Sequence, residues 1–234
     1  MIKRTLICVA FILVAQTCGF AQNGLNASTE RCLILNSQIN DWRAEYFDNV
    51  RFNDSVIEAA TEGLSICEAD SWFEQEFTFS LVEAYVRAKR YDDALHTAYI
   101  HHKVIENFYP YHYNMLYDEV MVVKCHDEGD IEQRNIYIAK LIAAIEPYIK
   151  KHRRRIDFLC GIDDFNNNIS KYHKEIRLWA DNAIYYFLQL LVDPVNTRAK
   201  LASKKYSLDF IDYVKHSVKC VVFFDCNSNI EPEQ

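Results

Sequence analysis

Residues Phe77–Phe108 read FTFSLVEAYVRAKRYDDALHTAYIHHKVIENF, and this stretch decides the fold. Phe73, Phe77, Leu81, Ala84, Tyr85 and Ala88 recur at spacings of four, four, three, one and three, which is the apolar stripe of a helix. Ser71-Trp72-Phe73-Glu74 has the pattern of a capping box. The Ser71 oxygen accepts from the backbone N–H three residues on, and Glu74 reaches back. A polar turn at Arg87–Asp93 interrupts the stripe, which restarts with Ala94, Leu95, Ala98, His102 and Ile105. Asp92 and Asp93 fall in the first turn of that second helix, where the dipole favours negative charge. Ala84, Ala88, Ala94 and Ala98 let two helices approach closely, and so short a turn predicts an antiparallel helical hairpin.

The same helical period extends in both directions. Upstream, Thr29–Phe47 is amphipathic through Cys32, Leu35, Ile39, Trp42 and Tyr46, and Ser55–Glu58 is a second capping box opening a helix to about Cys67. Downstream, Tyr109, Tyr111 and Tyr113 surround Pro110 in a connector. These tyrosines either form a platform for a ligand or sugar or pack a corner. Pro147 is expected to open a helix whose late residues, Lys150–Arg155, form a basic run; it could grip an anionic partner, but cations there suit the negative end of the dipole, and a solvated helix end is the reading preferred. In the loop Gly161–Ser170, residues Asp164, Asn166, Asn168, Ser170 and Glu175 fit the ligand spacing of a calcium loop. Ile169 stands where that template needs glycine, so the segment reads as an Asn-rich turn capping the next helix. Lys171–Leu191 is the strongest single helix. Asp193-Pro194 ends it and starts another, and Ser207–Lys219 is the last. With only five Gly and four Pro, a many-turned β fold is disfavoured. The expected fold is all-α, an array of antiparallel helical hairpins spanning 22–226, followed by a loose tail, 227–234.

Met1–Ala21 has the layout of a secretory signal: Lys3 and Arg4, an apolar run Leu6–Ala15, then small residues before a cut after Ala21. That run is too short to span a bilayer, so no membrane span is expected in the mature chain, and the expected location is the periplasm or the extracellular space. Without Lys3 and Arg4 the chain keeps 24 of its 26 basic residues against 33 acidic ones, a net charge of −9, which disfavours general binding to nucleic acid or to an anionic membrane. Six cysteines remain: Cys32, Cys67, Cys125, Cys160, Cys220 and Cys226. An exported chain with an even count permits disulfides. Of the fifteen pairings, neighbours in sequence suit antiparallel helices best: Cys32–Cys67, Cys125–Cys160 and Cys220–Cys226. The alternative is buried, unpaired thiols. None has the spacing of a zinc site, the histidines lack the spacing of a helical metal pair, and no nucleophile elbow, phosphate loop or dinucleotide fingerprint is present. Neither a cofactor nor a metal is expected.

Leu81-Val82, Tyr85, Lys89-Arg90-Tyr91-Asp92-Asp93-Ala94-Leu95 and Ala98 resemble one tetratricopeptide repeat, and Met121-Val122, Cys125, Gly129-Asp130-Ile131, Ile138 and Leu141 resemble a second, degenerate copy. Lys89 replaces the turn glycine in the first copy, Arg134 replaces the packing alanine in the second, and the forty-residue offset exceeds the usual ~34 of that family. The resemblance implies an α-solenoid that binds protein or peptide segments in a groove. Its lining is carried over by position onto Glu76, Phe79, Glu83, Val86 and Arg87, and onto Leu116, Glu119, Val123, His126 and Asp127. Glu76, Glu83 and Arg87 share a helix face whatever the family. Four carboxylates with Phe79 and Leu116 as apolar anchors suit a partner carrying Lys or Arg. Two other functions compete: a helical protein binding a small ligand or glycan through the Tyr109–Tyr113 segment, and an enzyme whose site is assembled across helices.

Overall fold

Helices account for the regular structure. The computed structural model describes residues 26–45, 52–108, 113–163, 171–172 and 175–216. The expected signal segment, Tyr109, Tyr111, the side chain of Tyr113, residues 164–170, Cys220, Cys226 and the tail lie outside them. Among the described residues the fold is all-α: ten helices and no strand. They are α1 Ala27–Glu45, α2 Asn53–Ile66, α3 Trp72–Arg87, α4 Tyr91–Ile100, α5 His102–Phe108, α6 Tyr113–Asp127, α7 Ile131–Cys160, α8 Ile176–Val192, α9 Pro194–Ala202 and α10 Leu208–His216. Among the described residues no helix is long and apolar enough to cross a membrane. The contacts gather in two compact units, Met1–Val120 and Met121–Gln234, where the sequence reading takes 22–226 as one domain.

The first unit is built on α3, which packs against α1, α2, α4 and α5. Its apolar stripe meets those of its neighbours in one core: Cys32, Leu35 and Ile39 from α1, Val56, Ala59 and Ala60 from α2, and Phe77, Leu81 and Ala84 from α3. Phe77 is fully buried, a burial that stabilises by about 1.5–3 kcal/mol. Its ring lies flat on Gly63 of α2, where an added Cβ would fall within 2.6 Å of ring carbons Cδ2 and Cζ. The glycine is what lets the two helices close on that ring. Arg31 of α1 holds Glu62 of α2 by a two-pronged bond, 2.7 Å and 2.9 Å, at the surface of this core. The N-cap expected at Ser55 lies three residues too late. Asn53 already belongs to α2 behind Phe52, whose side chain makes no cap bond, so the Ser55–Glu58 box is inside the helix.

The turn of the hairpin follows a Schellman pattern. Lys89 takes the left-handed conformation, φ +58°; its N–H donates to the Val86 carbonyl (2.9 Å) and the Arg90 N–H to that of Tyr85 (2.8 Å). Forty residues later the end of α6 repeats it. Gly129 has φ +77°, its N–H donates to the His126 carbonyl (3.1 Å), and the Asp130 N–H to that of Cys125 (2.8 Å). The hairpin's second helix is shorter than its periodicity implies. It breaks at His101, whose ring is taken by Glu74 of α3 (2.8 Å), and resumes as α5.

In the second unit α7 runs thirty residues and α8 packs along it. Ile138, Leu141, Ile145, Ile149, Ile156 and Leu159 form its buried stripe. Pro147 lies inside α7 rather than opening a helix. A proline there removes one backbone bond, but Ile145 and Ile149 are buried on either side and hold the helix continuous. Ser207 closes the far end: its N–H donates to the Cys160 carbonyl (2.8 Å), and its hydroxyl accepts from the Phe210 N–H (3.2 Å). Trp179 of α8 meets Phe210 and Tyr213 of α10 at 5.3 Å and 4.5 Å.

Cys32, Cys67, Cys125 and Cys160 are free thiols, not the two bridges that chain order favours. Cys125 stands beside the start of α7 and Cys160 is its last residue, separated by a helix about 45 Å long at 1.5 Å per residue. A bridge needs Cα atoms within about 7 Å. Cys32 and Cys67 belong to the same core region. Burial, with the neighbouring Cys32 adding to it, pushes the Cys67 thiol up to about 11, which favours the protonated form.

Two outcomes follow. Gly63→Ala should cost about 1–3 kcal/mol of unfolding free energy by urea titration, because the methyl group overpacks Phe77. Shrinking the ring in Gly63→Ala/Phe77→Leu should restore part of it; additive losses would disprove the contact. At the two turns, Lys89→Gly should stabilise by about 1 kcal/mol and Gly129→Ala destabilise by about 1–2 kcal/mol, read as opposite shifts in Tm.

Candidate functional site on the third helix

The N-terminus of α3 is held in place from three sides. Ser71 caps it, accepting from the Glu74 N–H at 3.2 Å. The Glu74 carboxylate does not turn back to Ser71. Its Oε2 accepts from the Asp70 N–H (2.7 Å) and its Oε1 lies 2.8 Å from His101 Nδ1. One carboxylate thereby fixes the loop before α3 and the end of α4.

With that end fixed, α3 presents a stripe at spacings of four, three, four and four: Trp72, Glu76, Phe79, Glu83 and Arg87. Trp72 is 37 % exposed and the other four are half-buried, while Phe77, Leu81 and Ala84 face the core. Trp72, which belongs to the capping box in sequence, is the member that periodicity of the apolar residues does not reveal. Val86 and Val123 are buried, and so is Leu116 at 1 % exposure, so Leu116 packs inside and does not stand as an apolar anchor at a surface.

Glu119 sits beside Asp118 near the end of the first unit. Withdrawal from water, with the Asp118 charge adding to it, pushes the Glu119 carboxyl up to about 8. The residue as a whole keeps part of its surface in solvent. His126 and Asp127 belong to the second unit and are half-buried. Burial and then Arg134, whose Nη1 lies 3.4 Å from His126 Nδ1, hold that imidazole below its usual range. Arg134, standing where the repeat pattern has alanine, is used in this contact and in bonds to Asn135.

Among the described residues no three His, Cys, Asp or Glu side chains are grouped to hold a metal ion. Glu175, the last position of the calcium-like spacing, is bonded to Arg155 through both carboxylate oxygens. The ring platform of Tyr109, Tyr111 and Tyr113 lies outside the described side chains.

The Glu119 shift sets a pH dependence. Its folded-state value is raised, so native protein keeps this proton where unfolded chain loses it, and stability contributed by the neutral form falls as pH rises from about 4.5 to about 8. Because the residue is part-exposed, the expected loss is about 1–3 kcal/mol. Glu119→Gln should flatten that decline in chemical-denaturation curves taken between pH 5 and 8; an unchanged pH profile would refute the buried carboxyl.

No known protein family, curated protein or solved structure matches the chain.

Proposed function

We propose that the chain is an exported helical repeat module of the tetratricopeptide type, which binds a protein or peptide segment carrying Lys or Arg on the outer stripe of α3. The observation that carries this reading is the stripe itself. Glu76 and Glu83 alternate with the aromatic rings of Trp72 and Phe79 on one helix face, and Arg87 closes it. The surroundings match. Met1–Val120 holds nine basic against seventeen acidic residues, a net charge of −8, whereas Met121–Gln234 holds seventeen against sixteen, a net charge of +1. An acidic unit draws a basic segment by long-range attraction, and desolvated rings supply most of the affinity once it docks. The two Schellman turns forty residues apart support the repeat assignment. Lys89 and Gly129, Arg90 and Asp130, Tyr85 and Cys125 occupy corresponding places in the same hydrogen-bond pattern. In this reading Glu76, Phe79, Glu83 and Arg87 act with Trp72, which replaces the buried Leu116 as the second apolar anchor.

A random peptide-display selection on the purified chain tests it. Selected peptides should be enriched in Lys and Arg around an apolar residue. Glu76→Lys/Glu83→Lys should weaken them at least tenfold, and Phe79→Ala or Trp72→Ala by about 1–2 kcal/mol. Peptides without basic enrichment, or equal binding by all these variants, would dismiss this face as the site.

A further inference from the structure

The basic run Lys150–Arg155 has a conventional explanation in sequence, cations at the end of a helix, and the structure removes it. α7 continues to Cys160, and its last turn holds no basic residue. The dipole acts within about one turn of a helix end, and all five cations lie beyond that reach. Lys150, Lys151, Arg154 and Arg155 stand in two adjacent rows of one outer face, all exposed. An open hollow of about 580 Å3 is lined by Lys150 through Arg155.

Among the described residues, the carboxylates paired with this run are too few to neutralise it. Glu146 takes Lys150 (3.0 Å). Asp157 is shared between Arg153 and Lys204, each at 3.8 Å, and also accepts from the Tyr206 hydroxyl (2.6 Å). Glu175 takes Arg155. Among the described residues six cations thus meet three carboxylates, in a chain whose net charge is −7. Lys151 and Arg154 face outward between these pairs, and Phe158, 51 % exposed, adds a ring under the Arg155 guanidinium at 4.9 Å.

We propose that this hollow on α7 binds a compact polyanion carrying two or more phosphate groups. Closely spaced Arg and Lys match the dense charge and the paired oxygens of phosphate better than carboxylates spread along a polypeptide. The phosphates come either from a soluble ligand or from a lipid headgroup. Lys151 and Arg154 are the primary contacts, because binding through them disturbs no ion pair already formed.

The full chain is titrated with tripolyphosphate by calorimetry, and in parallel sedimented with vesicles containing cardiolipin, whose headgroup carries two phosphates, and with vesicles of phosphatidylcholine alone. Wild type should bind tripolyphosphate, with Kd rising steeply between 50 and 200 mM salt. Lys151→Glu/Arg154→Glu should weaken it at least tenfold and Arg154→Gln several-fold, while the control Lys140→Glu, about 16 Å nearer the start of α7, leaves it unchanged; circular dichroism confirms folding of each. Binding confined to cardiolipin vesicles and lost in the double variant assigns the phosphates to a lipid and upholds the site. Absence of binding in every arm, or equal binding by wild type and the double variant, overturns it.

Discussion

Phe77 rests on Gly63 without room for one methyl group between them, and the helices of the N-terminal unit are arranged around that contact. A bare backbone at Gly63 lets α2 and α3 approach closely enough for Val56, Ala60, Leu81 and Ala84 to fill the space on either side. α1 then covers the pair with Cys32, Leu35 and Ile39. Because α3 is enclosed by α1, α2, α4 and α5, the stripe through Glu76, Phe79 and Glu83 is set at a fixed angle to its supports. If that stripe is the proposed binding face, its packed support leaves little to order when a partner arrives, which lowers the entropic cost of association.

The two units use their long helices differently. In the first, charge collects as carboxylates on a helix whose other faces are core. In the second, one thirty-residue helix carries a buried isoleucine stripe and an exposed basic face, with a proline between turns, Asp130 capping its start and the Ser207 N–H bonded to its last carbonyl. Asp157 links that helix to the segment beyond α9 by accepting from Tyr206, and burial together with this bond holds the Tyr206 hydroxyl well above its usual range. The polar contacts at this end of α7 therefore position Lys204 near Arg153 while leaving Lys151 and Arg154 outward.

Much of the helical layout was legible in residue spacing. The stripe from Phe73 to Ala88, the cap at Ser71 and the start at Pro194 behind Asp193 all depend on neighbours within four residues. The Ser55–Glu58 pattern misled because a capping box states a preference for a helix start and cannot forbid a helix from beginning earlier. Pro147 misled in the same way: its local preference is outweighed by buried isoleucines on both sides. The break at His101 was hidden because its partner, Glu74, is 27 residues away.

The sequence by itself determined that the chain is helical, where most helices lie, and that its acidic and basic residues are unevenly distributed. These properties arise from periodicity and composition, which act within a few residues. Tertiary structure decided the rest: that Gly63 receives Phe77, that Leu116 is core and Trp72 is surface, that Cys125 and Cys160 are separated by the whole of α7, and that Lys150–Arg155 lies away from the helix end. Each of these depends on which distant segments share a space or on how far a helix runs, and spacing along one segment carries no information about either.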